Sequence, residues 1–260
     1  MEIYVQSRGY SPDFEYCWMP ESPPYLGKVS SYIQNDSPSL VLARFDSNLF
    51  LLVTDLSSPE KKDFRDRSIR HSVAWVCEEN DENEKMLRAI AIEALRDRDD
   101  PTRQVDLTRQ VDQLIQLDGS QGFTFEKPQF EGLSKSILDS FKPESSDNVP
   151  DKTIKIAKNS QELKSRLTED LQKSRLPSVK ELPSGYELLV VVTGIKSEDT
   201  LKKGHIWRSL SNLVKSESDS WKTVSNEKED LSPKKLVTAL SLILLLAAIA
   251  IIILFFLAVS

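Results

Sequence analysis

The stretch that most constrains this chain is its last, Leu236 to Ser260, LVTALSLILLLAAIAIIILFFLAVS, which holds no charged residue, no glycine and no proline. Roughly 25 positions at about 1.5 Å each give a helix of about 37 Å, longer than a bilayer hydrocarbon core of about 30 Å. Its only polar side chains are Thr238, Ser241 and Ser260, and a helix satisfies its own backbone groups in lipid. The run predicts a single transmembrane tail anchor in contact with the lipid bilayer, with Leu236, Leu246, Ile252, Phe255 and Phe256 among the anchoring residues. Lys234 and Lys235 immediately precede it, so the positive-inside bias predicts a single-pass inner-membrane protein whose N-terminal part is cytoplasmic. The opening MEIYVQSRGYSPDFEYCW has acidic and polar residues where a signal peptide needs a basic and then an apolar region, and predicts no export.

Because the apolar run carries no ionisable side chain, the formal charge of -6 belongs to the rest of the chain. That balance argues against a general nucleic-acid binder and against a polybasic contact with anionic lipid, while local basic patches stay open. Cys17 and Cys77 stand far apart and outside any CxxC pair, so neither a disulfide framework nor a zinc site is indicated. The sequence has no Walker-type loop, HExxH, GxSxG or GxGxxG pattern, and no cofactor or metal is expected.

Taken in order, EIYVQ (Glu2 to Gln6) alternates polar and apolar residues like a first strand. Tyr10, Phe14, Tyr16, Trp18 and Tyr25, interleaved with Pro12, Pro20, Pro23 and Pro24, predict a long loop packed by its rings. The runs Ser39 to Arg44 and Leu49 to Thr54 predict a hairpin, and Ile69 to Cys77, apolar on both faces, predicts a central strand. From Asn83 to Arg98 the period becomes helical. TRQVD then occurs twice, at Thr102 to Asp106 and Thr108 to Asp112, and reads as a second amphipathic helix with Val105, Val111, Leu114 and Ile115 inward. A short helix is expected around Gly132 to Phe141, and the polar stretch Lys142 to Asp151 is a candidate boundary.

Beyond it, a strand at Lys152 to Ala157, a helix capped at Asn159-Ser160 and a strongly apolar strand at Leu188 to Thr193 precede a predicted helix over Thr200 to Lys215, with Ile206, Leu210, Leu213 and Val214 inward. That succession suggests a parallel pair. The fold predicted is therefore α/β, a mixed sheet with flanking helices, plus the C-terminal transmembrane helix. Its organisation is a mixed region over 1–142, a βαβα part over 152–215 of the same or a second small domain, a flexible linker over 216–235 and the anchor over 236–260.

The sharpest polar cluster is KKDFRDRSIRH, with Arg65, Arg67, Arg70 and His71 at the entrance to the strand predicted as central. Several guanidinium groups together can grip a phosphate or carboxylate in bidentate fashion, so these four are the candidate ligand-binding residues. The competing reading pairs the arginines with Glu60, Asp63 and Asp66 on a solvated surface. His71 as a general base needs an oriented partner and a nucleophile, and no spacing ties it to His205, the other histidine.

The opening IYVQSRG and the segment TDLSSPEKKDFRDRSIRHSVAWV resemble parts of small bacterial proteins associated with NTPase-centred conflict and defence systems. The resemblance covers about a quarter of the chain, contains no catalytic motif and transfers no functional residue. It implies a membrane component working with a cytosolic NTPase, in a GTPase-associated setting. The function expected is a tail-anchored adaptor whose cytosolic α/β module binds a protein partner or small anionic ligand and localises a response to the inner membrane, without catalysis of its own. The alternatives are a membrane-disrupting effector released by a cytosolic trigger and a hydrolase or nuclease using Asp55, Asp63 or His71.

Overall fold

In the computed structural model, β1 (Glu2–Ser7) and β2 (Cys17–Met19) form an antiparallel ribbon at one edge of a nine-stranded sheet. A one-turn helix α1 (Leu26–Val29) and a 3₁₀ turn lead into the hairpin β3 (Leu40–Phe45) and β4 (Asn48–Val53), then β5 (Ser72–Glu78). Next come α2 (Asp81–Leu95), α3 (Leu107–Leu114), the two-residue pair β6 (Ile115–Gln116) and β7 (Thr124–Phe125), and α4 (Lys127–Ser140). The chain closes the sheet with β8 (Ile154–Lys158), α5 (Gln161–Lys173), β9 (Leu188–Thr193), α6 (Glu198–Lys203), β10 (Arg208–Ser211) and β11 (Lys222–Val224). The structure describes residues 1–34, 37–57, 60–96, 106–118, 122–143, 151–178, 181–182, 187–215 and 220–224.

The sheet order is β11-β8-β10-β9-β3-β4-β5-β1-β2. β3, β4 and β9 are buried along nearly their whole length because their sequences are apolar at consecutive positions, as a strand covered on both faces requires. β3 joins the two portions of the chain, pairing antiparallel with β4 on one side and with β9 on the other. The sheet thus runs without a break across the 142–151 stretch. β5 is an interior strand between β4 and β1, and β3 occupies the centre.

On the sheet, α2 packs against β3, β4 and β5, with α4 and α5 beside it. Asn80 caps α2 by accepting from the Asn83 N–H, and Ser160 caps α5 by accepting from the Leu163 N–H. Leu163, Leu167 and Leu171 of α5 are fully buried, the four-residue rhythm visible in the sequence. The Trp75 indole N–H donates to Ser134 Oγ at 3.2 Å and fastens β5 to α4.

Three segments differ from the sequence expectation. The predicted helix over Thr200 to Lys215 ends after α6, where Gly204 is followed by His205 in the left-handed region at φ 49°. The chain then enters β10, inserted between β8 and β9 and parallel to both. Two strands supplying backbone partners outweigh a helical spacing of Ile206, Leu210, Leu213 and Val214, and Leu213 is left 55% exposed. The ring-rich loop contains the edge strand β2, and the polar stretch after Ser216 contains β11, which pairs antiparallel with β8.

The expected α/β mixed sheet with a C-terminal transmembrane helix is corrected in its second part: among the described residues no helix is long and apolar enough to cross a membrane. The longest, α2, has 15 residues, and the acidic side chains Asp81, Glu82 and Glu84 crowd its first turn. Its length of about 22 Å is short of a core of about 30 Å. The anchor residues Leu236, Leu246, Ile252, Phe255 and Phe256, and the topology pair Lys234 and Lys235, lie outside the described residues.

Candidate functional site

The segment from Lys61 to His71 is a small hairpin-like excursion built around one carboxylate. Asp63 N–H donates to Arg67 O at 2.8 Å, Ile69 N–H donates to Lys61 O at 2.9 Å, and Asp66 turns the chain at φ 60°. Inside it, Asp63 Oδ1 accepts from the backbone N–H groups of Arg65 and Arg67 at 2.8 and 3.0 Å. Asp63 Oδ2 accepts from both Arg67 Nε and Nη2, at 2.9 and 2.7 Å, so the guanidinium grips a single carboxylate oxygen. The Arg67 hydrogen bonds hold the Asp63 carboxyl down at about 2, outweighing the burial that opposes them.

The four residues singled out from the sequence have different fates here. Arg67 is committed to Asp63, and Arg70 Nε lies 3.3 Å from Asp55 Oδ1. Arg65 stacks over the ring of its neighbour Phe64 at 5.0 Å and has no carboxylate partner among the described residues. His71 is not on this surface at all, being fully buried. His205 sits at the exposed end of α6.

The excursion docks on the ring-rich loop. Phe64 N–H donates to Tyr10 O at 3.1 Å, Arg70 N–H donates to Tyr16 Oη at 3.1 Å, and the Arg8 guanidinium lies 5.6 Å from the centre of the Tyr16 ring. Tyr10 is 60% exposed and Tyr16 43%, two of the three large exposed apolar residues among those described. Tyr10, Phe64 and Arg65 thus adjoin on an aromatic face whose two segments also expose Tyr16 and the carboxylates Asp13, Glu15 and Asp66. Beneath it Gly9 and Gly122 touch: a Cβ on Gly9 would stand 2.7 Å from Gly122 Cα and 2.6 Å from Phe14 Cδ2.

Below that face, His71 joins three elements. The antiparallel register that pairs Gln6 with Ser72 carries on to bring Ser7 opposite His71. Ser7 Oγ lies 2.9 Å from His71 Nδ1, and Asp112 Oδ1 on α3 lies 3.1 Å from Nε2. An ionised carboxylate only accepts, so Nε2 carries the proton and Nδ1 accepts from the Ser7 hydroxyl. Burial pushes the His71 pKa below its usual 6.5, by more than the Asp112 hydrogen bond raises it, and the ring is neutral at pH 7. Lys61 Nζ approaches Asp112 Oδ1 at 3.5 Å and also donates to the carbonyls of Asp112 and Ile115, satisfying the C-terminal end of α3.

Sequence reasoning missed Ser7, Asp112 and Lys61. The signal for Asp112 was its place beside Val111, on the apolar stripe of a predicted helix, where a buried acid demands a partner. Ser7 follows only from the β1–β5 register, which no local pattern reveals. Among the described residues no group of three His, Cys, Asp or Glu side chains could hold a metal ion. No protein-family model, no curated protein and no solved structure matches this chain.

Proposed function

We propose that the α/β body is a binding module whose Tyr10, Tyr16, Phe64 and Arg65 face docks on an acidic surface of a protein partner. The observation that carries this reading is that exposed tyrosines and an arginine without a carboxylate partner stand together on a segment braced from below. Tyrosine and arginine are the side chains that dominate binding energy at interfaces, and a face already held in shape loses little freedom on docking. A small anionic ligand is less well served, because Arg67 and Arg70 are engaged with Asp63 and Asp55. The resemblance in the sequence suggests a cytosolic NTPase as the partner. The charge-free sequence Leu236 to Ser260, behind Lys234 and Lys235, supports placing the module on the cytoplasmic side of the inner membrane, where confinement raises its effective concentration toward companions held there. The test is crosslinked capture from intact cells with the full chain and with Arg65→Glu. Companions recovered by the wild type and at least tenfold depleted by the substitution support the reading, and equal recovery defeats it.

A hydrolase is the second reading, favoured by the hydrogen-bond order Ser7 to His71 to Asp112, in which a hydroxyl donates to an imidazole oriented by a carboxylate. It requires the Ser7 hydroxyl to meet substrate, and Ser7 and His71 are both 0% exposed. Labelling of Ser7 by a fluorophosphonate probe would establish it. An unlabelled Ser7 in folded protein leaves the network as an internal brace.

A further inference from the structure

The opposite side of the β1–β2 ribbon holds a cavity that plays no part in the partner face. Side chains alternate along a strand, so Gln6 points away from Val5 and Ser7, and it shares its face with its cross-strand partner Trp18. Together with Leu26, Ser30 and Ile33 these two residues line a pocket of about 240 Å³. Ser30 Oγ is occupied, donating to Gly27 O at 3.2 Å. Neither the Gln6 carboxamide nor the Trp18 indole N–H has a hydrogen-bond partner among the described residues.

A carboxamide at a half-buried strand position facing a tryptophan is an unusual use of the site. Both side chains are only partly buried and line an open pocket, so water can satisfy them when it is empty, and a ligand must offer a matched donor and acceptor to replace that water. We propose that this pocket binds a planar, uncharged ring that carries adjacent N–H donor and carbonyl acceptor groups on one edge. Gln6 presents an acceptor oxygen and donor nitrogen in one plane, the complement of a lactam or carboxamide edge and the geometry by which glutamine reads a base edge. Trp18 supplies an aromatic surface, worth about 1–3 kcal/mol for a stacked heterocycle, and Leu26 and Ile33 supply apolar contact. The lining contains no charged side chain, which selects a neutral ring. The volume lies below the range of about 300–1,000 Å³ typical of drug-sized ligands, which limits the ligand to one ring system.

The experiment is saturation-transfer NMR with isothermal titration of the full chain against hypoxanthine and nicotinamide, with indole as a ring that lacks the amide edge. Saturable binding of at least one amide-bearing probe, weakened tenfold or more by Gln6→Leu while the thermal midpoint holds, is the expected result. Indole binding is expected to be unaffected by that substitution. Trp18→Phe, which keeps an aromatic face, separates stacking from misfolding and should retain the amide-bearing probe. Failure of both probes to saturate, or a Gln6→Leu effect smaller than tenfold, overturns the proposal, and neither outcome bears on the Tyr10 face.

Discussion

His71 and Asp112 are 41 residues apart in sequence and meet through a 3.1 Å hydrogen bond, with the His71 side chain 0% and the Asp112 side chain 4% exposed. That contact ties the entrance of β5 to α3, and through Ser7 it reaches the end of β1. Removing one partner of a buried hydrogen bond leaves the other stranded, which costs more than the bond itself contributes. Asp112→Ala is therefore expected to lower stability by about 1–3 kcal/mol, and Ser7→Ala by about 1 kcal/mol, in urea titrations followed by far-UV circular dichroism. Unchanged midpoints for both would remove His71 from its role as a brace.

The same contact predicts an acid sensitivity with a defined sign. The folded-state pKa of His71 lies below the unfolded value of 6.5, so the unfolded chain takes up the proton more readily. The contribution of the neutral ring is complete above pH 6.5 and is lost as pH falls toward the folded-state value, at up to about 1.4 kcal/mol per pH unit. Asp63, held down at about 2, contributes above its ordinary 3.8 and loses that contribution only as pH falls through about 2, outside this window. The stability difference between wild type and His71→Asn should shrink between pH 7.5 and pH 5. A difference constant over that range would contradict the assignment.

At Gly9 the constraint is steric. Its missing Cβ is what allows Gly122, itself at φ 84°, and the Phe14 ring to close over the end of β1. Gly9→Ala must push backbone away from backbone, and a destabilisation of about 1–3 kcal/mol is expected. A thermal midpoint within a degree of wild type would show that the two loops do not touch.

β10 can be told from the helix that its sequence suggests by two substitutions. Leu210 is fully buried and Leu213 is 55% exposed, although a helix with the expected stripe would bury both. Leu210→Ala should cost about 2–5 kcal/mol and Leu213→Ala less than about 0.5 kcal/mol. Comparable losses at the two positions would restore the helical reading.

The sequence made some of this architecture readable because local pattern and final environment agree there. The β3–β4 hairpin, α2, the Ser160 cap with the leucine rhythm of α5, and β9 all carry their period in consecutive residues. β10 was hidden because its pairing with β8 and β9 is non-local, and because Ile206, Leu210 and Val214, all buried, keep a helical spacing although only Leu210 lies in the strand. The arginine cluster was visible as composition, but its use was not. Asp63 gathers Arg67 and the loop backbone inward, Asp55 takes Arg70, and of the three arginines Arg65 alone lies over a ring, that of Phe64, without a carboxylate partner among the described residues. His71 was singled out as a possible surface ligand residue and lies in the interior, since its partners Ser7 and Asp112 come from distant segments.

Site-specific photocrosslinking tests the central claim most directly. A benzophenone amino acid placed at Tyr10 in the full chain should capture a discrete companion in living cells, and Arg65→Glu in the same chain should abolish that adduct. The same probe at Leu213, an exposed apolar position with no arginine in its tight turn, should capture nothing comparable. An adduct at Tyr10 that survives Arg65→Glu, or the absence of any adduct at Tyr10, would contradict a partner-binding role for this face.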